Sequence, residues 1–470
     1  MSKSILDKYN LPFDTTFLES INLVDSSLDI EPNDIVFIKT DNQKKITEYI
    51  NESINKRASY VITSSEVNRD EINDQIINTD KIDNLMRDMV SVRYPSYNRK
   101  NLYGITGTNG KTTSCHFTKI LIGDETTEFI GTTRSEEIEQ VTQMPSLTTP
   151  TFIPISKYIE KNKQKDNFIL EVSSHALAQD RLNDLKFKIC SFTNLSQDHL
   201  DFHLSMDDYF KAKQSLFNSD RTNLAIIFSN DWGIKLANSL NIDYVTVGFN
   251  SKDFSSFQVT NQEAHTTEGN LTIDGNRYDL QIPLSGPGML ENFLVAITNA
   301  YFSNQSFSYT LENIQNLTYP EGRYQCIKDG TKNIIVDYAH TPKALESLLS
   351  FSKQHYKRVT VVFGCGGDRD TTKRQLMGNS SEIADSIILT SDNPRDENPE
   401  SIIEAILKGI ENKKSVSVIV NRREAIEKAI REAEEEEAVI IAGRGHESFQ
   451  EVAGDYIKFK DSEVVSEILN

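Results

Sequence analysis

From about residue 98 to the C-terminus, short apolar runs alternate with amphipathic stretches, and this alternation limits the possible folds more than any other feature. The runs "LYGITG", "NFILEVSS", "FKICSFTNL", "NLAIIFSN", "NIIVDYA", "RVTVVFGCGG", "SIILTSD" and "AVIIAGRG" have the length of strands. Several are continuously apolar, as strands covered on both faces must be. Between them lie segments with helical spacing, such as "KTTSCHFTKILIG" and "PKALESLLSFSKQH". Strand and helix in succession predict parallel sheets with helices on both faces, an α/β fold. The chain's 470 residues suit about three domains of roughly 150 residues each. Residues 1–97 are short, mixed and polar. Residues 98–321 hold the first long α/β run, and a second unit, 322–470, follows the Pro-Glu-Gly-Arg cluster of "YPEGRYQC". The acidic run "REAEEEEA" (Arg431 to Ala438) reads as a solvated helix face ahead of a strand.

Composition narrows the class of function. A formal net charge of −19 leaves no cationic excess to neutralise phosphates. Nonspecific binding to nucleic acid or to an anionic membrane is therefore disfavoured. Cys115, Cys190, Cys326 and Cys365 lie far apart with no zinc spacing, which predicts reduced thiols. No stretch of about 18 apolar residues is present, so no spanning helix is expected. The segment "MSKSILDKYNLPFD" lacks the pattern of an export signal, and a cytoplasmic location is expected.

Four constellations carry chemistry. Thr106 to Thr113, within "YGITGTNGKTTSC", follows an apolar strand and precedes a helical stretch. Backbone N–H groups and a helix N-terminus can converge there on phosphate oxygens, although Ile105 stands where the common phosphate loop has its first glycine. Lys111 would reach the β- and γ-phosphates of ATP, and the Thr112 hydroxyl would ligate Mg2+. Next, Glu171 ends a strand in "LEVSSHALAQDR", placed to hold a hard cation or merely to cap a loop. "FTNLSQDHLDFH" then packs Asp198, His199, Asp201 and His203 together, with Lys213 downstream in "YFKAK". That cluster fits a transition-metal site or a polar loop. Finally "VDYAHTP", "FGCGGDRD", "SDNPRDENP" and "AGRGHE" each lie just past an apolar strand. Ligands of open α/β sheets bind outside the carboxyl ends of strands, so four such loops argue for one shared site.

In this order, with "LTTP", "EVSSHAL" and "YFKAKQSLF", these motifs resemble the Mur ligases, ATP-dependent amide-forming enzymes of peptidoglycan precursor synthesis. The resemblance covers residues from about 98 to the end, and within the family it is to the ligases that add the third residue of the stem peptide. It implies three domains: a small N-terminal α/β domain for the UDP moiety, a central P-loop ATPase-like parallel sheet, and a C-terminal Rossmann-like domain for the amino acid. It also implies a route in which ATP phosphorylates the D-glutamate carboxylate of UDP-N-acetylmuramoyl-L-alanyl-D-glutamate. The amine of the third amino acid then attacks the acyl phosphate. Gly107, Thr108, Asn109, Gly110, Lys111, Thr112 and Thr113, with Asn292, Arg323, Asp337 and His340, are implied to border ATP. Thr112, Glu171, His199 and Lys213 are implied to bind Mg2+, Lys213 as a carbamate derived from CO2. Lys111, Glu171, His199 and Lys213 form the implied catalytic set. Ser27, Thr148, Thr149, Ser173, Gln179 and Arg181 are implied contacts of the UDP-muramoyl dipeptide. Arg369, Asp392, Asn393, Arg395, Gly443 and Glu447 are implied to hold the amino acid.

In relatives that add meso-diaminopimelate the arginine of "DNPR" pairs with the distal carboxylate, so the resemblance at Arg395 implies that substrate; a guanidinium suits a carboxylate and repels the terminal amine of lysine. A monomer is expected. The N-terminal block departs from the family pattern: Ser27 and Asn33 stand where it has arginine and glycine, and no Asp-Gly-His follows. "GPGMLENFL" lacks the usual Phe-Asn pair, and Arg444 replaces a common lysine. Rival readings are a ligase with L-lysine or another carrier, a folylpolyglutamate synthase, and a P-loop kinase or nucleotide-gated binder.

Overall fold

A computed structural model describes residues 2–40, 42–64, 74–132, 147–328 and 332–469. The α/β expectation holds. The chain divides into two compact units. The first comprises Met1–Gly104, Glu125–Cys190 and Leu216–Asn223; the second comprises Ile105–Asp124, Ser191–Ser215 and Leu224–Asn470.

In the first unit, β1 (Leu23–Val24), β2 (Ile35–Ile38), β3 (Tyr60–Thr63) and β4 (Ile76–Asn78) pair in that order, all parallel. The helix Gln43–Asn55 lays Ile46 and Ile50 against Val36, Ile38 and Val61, a core built from its apolar stripe. β5 (Asn101–Thr106) begins in this unit, and β6 (Thr127–Ile130) pairs in parallel with β7 (Asn167–Glu171). The helix Phe152–Lys161 has no capping bond from its own N-cap residue, Thr151. Thr151 instead donates its hydroxyl to Asp25 Oδ1 at 2.9 Å, and the same carboxyl accepts from the backbone N–H of Ile153. A residue more than a hundred positions upstream thus performs the capping task. Burial raises the Asp25 pKa to about 6, ahead of the lowering effect of its Thr151 bond.

In the second unit, β8 (Ile189–Phe192), begun in the first, leads into the segment Ser191–Ser215. β9 (Leu224–Phe228), β10 (Asp243–Gly248) and the start of β11 (Ser255–Gln262) are parallel, while β12 (Thr267–Ile273) and β13 (Asn276–Ile282) continue as an antiparallel meander. Helices Lys111–Ile122 and Met289–Tyr301 pack together, both with mostly buried side chains.

The C-terminal part of the second unit is a six-stranded sheet. It uses β14 (Gln325–Lys328), β15 (Lys332–Asp337), β16 (Arg358–Phe363), β17 (Ser386–Leu389), β18 (Val416–Val418) and β19 (Glu437–Ala442). Their order is β14-β15-β19-β16-β17-β18, and only β14 is antiparallel. β15, β16 and β19 are nearly continuous in Val and Ile because helices cover both faces. A hairpin, β20 (Phe449–Val452) with β21 (Asp455–Lys458), turns at Ala453 and Gly454, φ +50° and +82°, with nothing within 4 Å of a side chain built on Gly454. The acidic run is not one helix face. The helix Arg422–Glu432 stops inside it, and Glu437 is buried as the first residue of β19, 3.3 Å from Arg358.

Two measurements test these features. Arg422 and Asp461 form a bidentate pair, 2.8 and 2.7 Å, with both side chains fully buried. Asp461→Ala leaves a buried unpaired guanidinium and should cost about 3–5 kcal/mol in urea unfolding, whereas Arg422→Met with Asp461→Leu should cost less. Asp25, with its folded pKa raised towards 6 above an unfolded value of about 4, holds a proton in the folded state across that window. Its contribution to stability therefore falls as pH rises from 4 to 6. Asp25→Asn should gain about 2 kcal/mol on wild type between pH 4 and pH 7, and an unchanged difference would contradict the shift.

Candidate active site

The first-unit candidates surround the end of β7. Glu171 is buried, and its Oε2 accepts both the N–H and the hydroxyl of Thr132, each at 2.6 Å. Thr149 donates its hydroxyl to Glu171 O at 2.7 Å and accepts from Ser173 N at 2.9 Å. Arg181 reaches Thr149 O at 3.2 Å and holds Gln179 Oε1 through Nε and Nη2. Thr149, Ser173, Gln179 and Arg181 thus form one connected group beside Glu171, with Thr148 next in the same turn. Ser27 lies in a 3-10 turn, where its carbonyl accepts from Lys56 at 2.6 Å. Asp25, two residues before it, ties this turn to the "LTTP" segment through Thr151, a link the sequence did not reveal.

In the second unit the glycine loop runs from the end of β5 into the helix Lys111–Ile122. Its N-cap, Gly110, has φ +85° and carries no side-chain capping bond. A Cβ there would fall on Asn292 Oδ1, which also accepts from the Ser114 hydroxyl at 3.2 Å. The first helical N–H groups are therefore directed outward at a positive helix end, the geometry that binds phosphate. The chain after β8 braces the loop: Thr108 N donates to Asn194 O, Asn109 N to Asn194 Oδ1, and the Thr193 hydroxyl to Asn109 O, at 2.7–3.0 Å.

Two lysines converge on one backbone carbonyl. Lys111 Nζ lies 3.0 Å from Gly107 O and 2.8 Å from Thr108 O; Lys213 Nζ lies 2.8 Å from the same Gly107 O. Lys213 is buried on the helix Met206–Gln214, 4.6 Å from the centre of the Tyr209 ring. Burial, and then the charge of Lys111, hold its pKa well below the ordinary ammonium value, against the pull of Asp198. Thr113 is buried within the first turn of the helix, and Thr112 Oγ1 accepts from Arg323 at 3.3 Å, whose guanidinium lies over the Tyr338 ring at 4.2 Å.

Asp198 gathers three further groups. Its Oδ2 lies 3.4 Å from both His199 Nε2 and His340 Nε2, and its Oδ1 lies 3.5 Å from Lys373 Nζ. Burial raises its pKa, but the hydrogen bond and charge of His340, then Lys373 and His199, prevail and hold it well below the carboxylate range. His340 Nδ1 meets Tyr338 O at 2.8 Å. Asp337 is turned to the backbone, accepting from Tyr324 N and Ala339 N at 2.6 and 2.8 Å. Lys373, buried at the start of the helix Lys373–Ser381, went unread in the sequence, where "DRDTTKR" looks like an exposed charge run.

The loops after β16, β17 and β19 bring the remaining candidates together. Asn393 donates to Glu447 Oε2 at 2.8 Å and accepts from Arg444 Nη1 at 2.6 Å. Gly443, φ +110°, stands where a Cβ would press on Asp392 Oδ2. Burial and then Asp392 raise the Glu447 pKa. Arg369 is half exposed, 3.9 Å from Asp201. Arg395 contacts Glu451 at 2.9 Å and donates to Gly367 O at 2.6 Å.

Among the described residues, no three His, Cys, Asp or Glu side chains converge as a ready metal cage. Mg2+ fits such a site nonetheless, since it is commonly held by one or two protein oxygens together with substrate phosphates. No helix among the described residues is long and apolar enough to cross a membrane.

The family model of the Mur ligase middle domain matches residues 105–300, and that described as Mur ligase, glutamate ligase domain, matches residues 322–445. The UDP-N-acetylmuramoyl-L-alanyl-D-glutamate–2,6-diaminopimelate ligase of Aquifex aeolicus (strain VF5) is 39% identical over 378 residues, 79% of this chain and 78% of that protein. The ligase of the same name from Rickettsia bellii (strain RML369-C) is 32% identical over 99% of this chain and 97% of its own. A solved structure of a ligase of that name superposes with a TM-score of 0.63 at 28% identity, covering 95% and 94% of the two chains. The MurF ligase of Thermotoga maritima in complex with ADP shares the fold at 12% identity, TM-score 0.65, covering 96% and 97%. Family models over both α/β regions and relatives alike along most of its length establish that the chain belongs to the Mur ligase family.

Proposed function

We propose that the chain is the ATP-dependent ligase that joins meso-diaminopimelate to UDP-N-acetylmuramoyl-L-alanyl-D-glutamate, forming ADP and phosphate in peptidoglycan precursor synthesis. The observation that carries this reading is Lys213: a buried amine, held towards its neutral form, within 2.8 Å of the phosphate loop's Gly107 carbonyl. A kinase or a nucleotide-gated binder needs no such group. A neutral amine is the form that attacks CO2, giving a carbamate and releasing one proton, and the product offers carboxylate oxygens where an ammonium would repel a cation.

In this reading the helix N-terminus at Lys111–Thr113 and the Lys111 amine bind the ATP phosphates. Gly107, Thr108, Asn109 and Gly110 shape that turn, while Asn292, Arg323 and His340 border the nucleotide and Asp337 fixes the backbone around them. Mg2+ held by Thr112, Glu171, His199 and the Lys213 carbamate would neutralise charge on the transferring phosphoryl group. The D-glutamate carboxylate takes the γ-phosphoryl group; the incoming amine attacks the acyl carbon, and phosphate leaves as the amide forms. Ser27, Thr148, Thr149, Ser173, Gln179 and Arg181 hold the UDP-muramoyl dipeptide. Arg369, Asp392, Asn393, Arg395, Gly443 and Glu447 hold the amino acid. The division into 1–97, 98–321 and 322–470, the monomeric state and a cytoplasmic location belong to the same proposal.

Phosphate release with UDP-N-acetylmuramoyl-L-alanyl-D-glutamate should require an added amino acid, with kcat/KM at least tenfold higher for meso-diaminopimelate than for L-lysine. A preference for lysine would overturn the substrate assignment. Lys213→Ala should lower kcat by roughly 100-fold, the size of loss typical for one transition-state electrostatic contact, while ATP still binds. Normal turnover in that variant would remove the carbamate from the mechanism.

A further inference from the structure

The loop that carries Arg395 is held by the hairpin β20–β21 rather than by the sheet it leaves. Arg395 N donates to Glu451 O at 3.1 Å, and Ala453 N donates to Arg395 O at 2.8 Å. Arg395 therefore bridges in parallel to Val452, as a single residue of a third strand. Glu451 N also donates to Asn393 Oδ1 at 3.0 Å. Arg395 adopts φ +52°, a left-handed backbone that a non-glycine residue takes up only at a cost, which these bonds on both sides offset.

The side chain is placed as firmly. Arg395 Nε lies 2.9 Å from Glu451 Oε2, and Nη1 donates to Gly367 O at 2.6 Å. The two side chains are 21% and 29% exposed, so the pair forms part of the loop's surface rather than its interior. Next to it, Arg444 lies 3.6 Å from Glu447. The cations around Asn393 are thus matched by carboxylates, and this wall is a dipole instead of a net positive patch. A ligand end bearing only a carboxylate is drawn to Arg395 and repelled by Glu451. An end bearing only an ammonium meets the reverse. An end with both groups on one carbon is complementary to the pair.

We propose that Glu451 is a specificity-determining residue for the distal end of the incoming amino acid, pairing with its ammonium while Arg395 takes its carboxylate. This rests on the diaminopimelate reading above, since that substrate ends in such a zwitterion and lysine does not. Glu451 is not needed to hold Arg395 in place, because the backbone bonds and Gly367 O already do so.

The test compares kcat/KM for meso-diaminopimelate, 2-aminopimelate (distal carboxylate alone) and L-lysine, in wild type, Glu451→Gln and Glu451→Asp. Wild type should favour meso-diaminopimelate over both others by at least tenfold. Glu451→Gln should raise its KM about tenfold while kcat/KM for 2-aminopimelate stays level or rises, so that the preference between them collapses. Glu451→Asp should keep the preference within about threefold. An equal fall for both substrates in Glu451→Gln, an unchanged preference, or a loss in Glu451→Asp as large as in the glutamine variant would each overturn the proposal. A wild-type preference for lysine would instead overturn the diaminopimelate reading itself.

Discussion

Inside a parallel sheet covered on both faces, every backbone amide is committed to a neighbour and no polar side chain finds water. Chemistry can begin only where the strands stop. β16, β17 and β19 are apolar to their last residues and β15 is apolar up to Val336, and each leads into a loop that carries charged side chains. Asp337, Asp392, Gly443 and their neighbours meet because the strands carrying them end at one edge of one sheet. The linkage is direct in places: Gly443 N donates to Asp337 O, so two of the site's loops begin from a shared backbone bond.

Burial then sets the state of the groups that remain. An uncompensated ammonium inside a protein costs several kcal/mol, against about 1 kcal/mol gained from one hydrogen bond. Lys213 is buried against one carbonyl and one aromatic face, and burial with the charge of nearby Lys111 outweighs Asp198 and holds it towards its neutral form. Asp198 shows the opposite resolution at equal depth. It keeps its charge because three cationic or potentially cationic side chains surround it.

The strands that show clearly in the sequence are those with a nearly unbroken apolar run: β5, β7, β8, β9, β15, β16, β17 and β19. The helix after the glycine loop is equally plain. β10 to β13 are harder to see because their exposed faces alternate polar residues, as in "SSFQVTNQ", and the pattern blends with loop. The N-terminal sheet is written in strands of two to four residues, too short for a period to register. Glu437 misled because its partner, Arg358, lies on a strand 79 positions earlier. The same holds within the site. The glycine loop and the "DNPR" and "GRGHE" loops were visible as motifs, whereas Lys373 and Asp25 acquire meaning only from partners remote in sequence.

The hairpin β20–β21 braces the Arg395 loop mainly through main-chain atoms, which are the same whatever side chains the hairpin carries. In evolutionary terms, its residues can be exchanged one at a time without redirecting the loop they support. The contacts of Lys111 and Lys213 with the Gly107 carbonyl share none of those atoms. With Glu451 in the role proposed for it, a lineage could re-address the enzyme to a different amino acid by drift at the hairpin, leaving the glycine-loop contacts inherited intact.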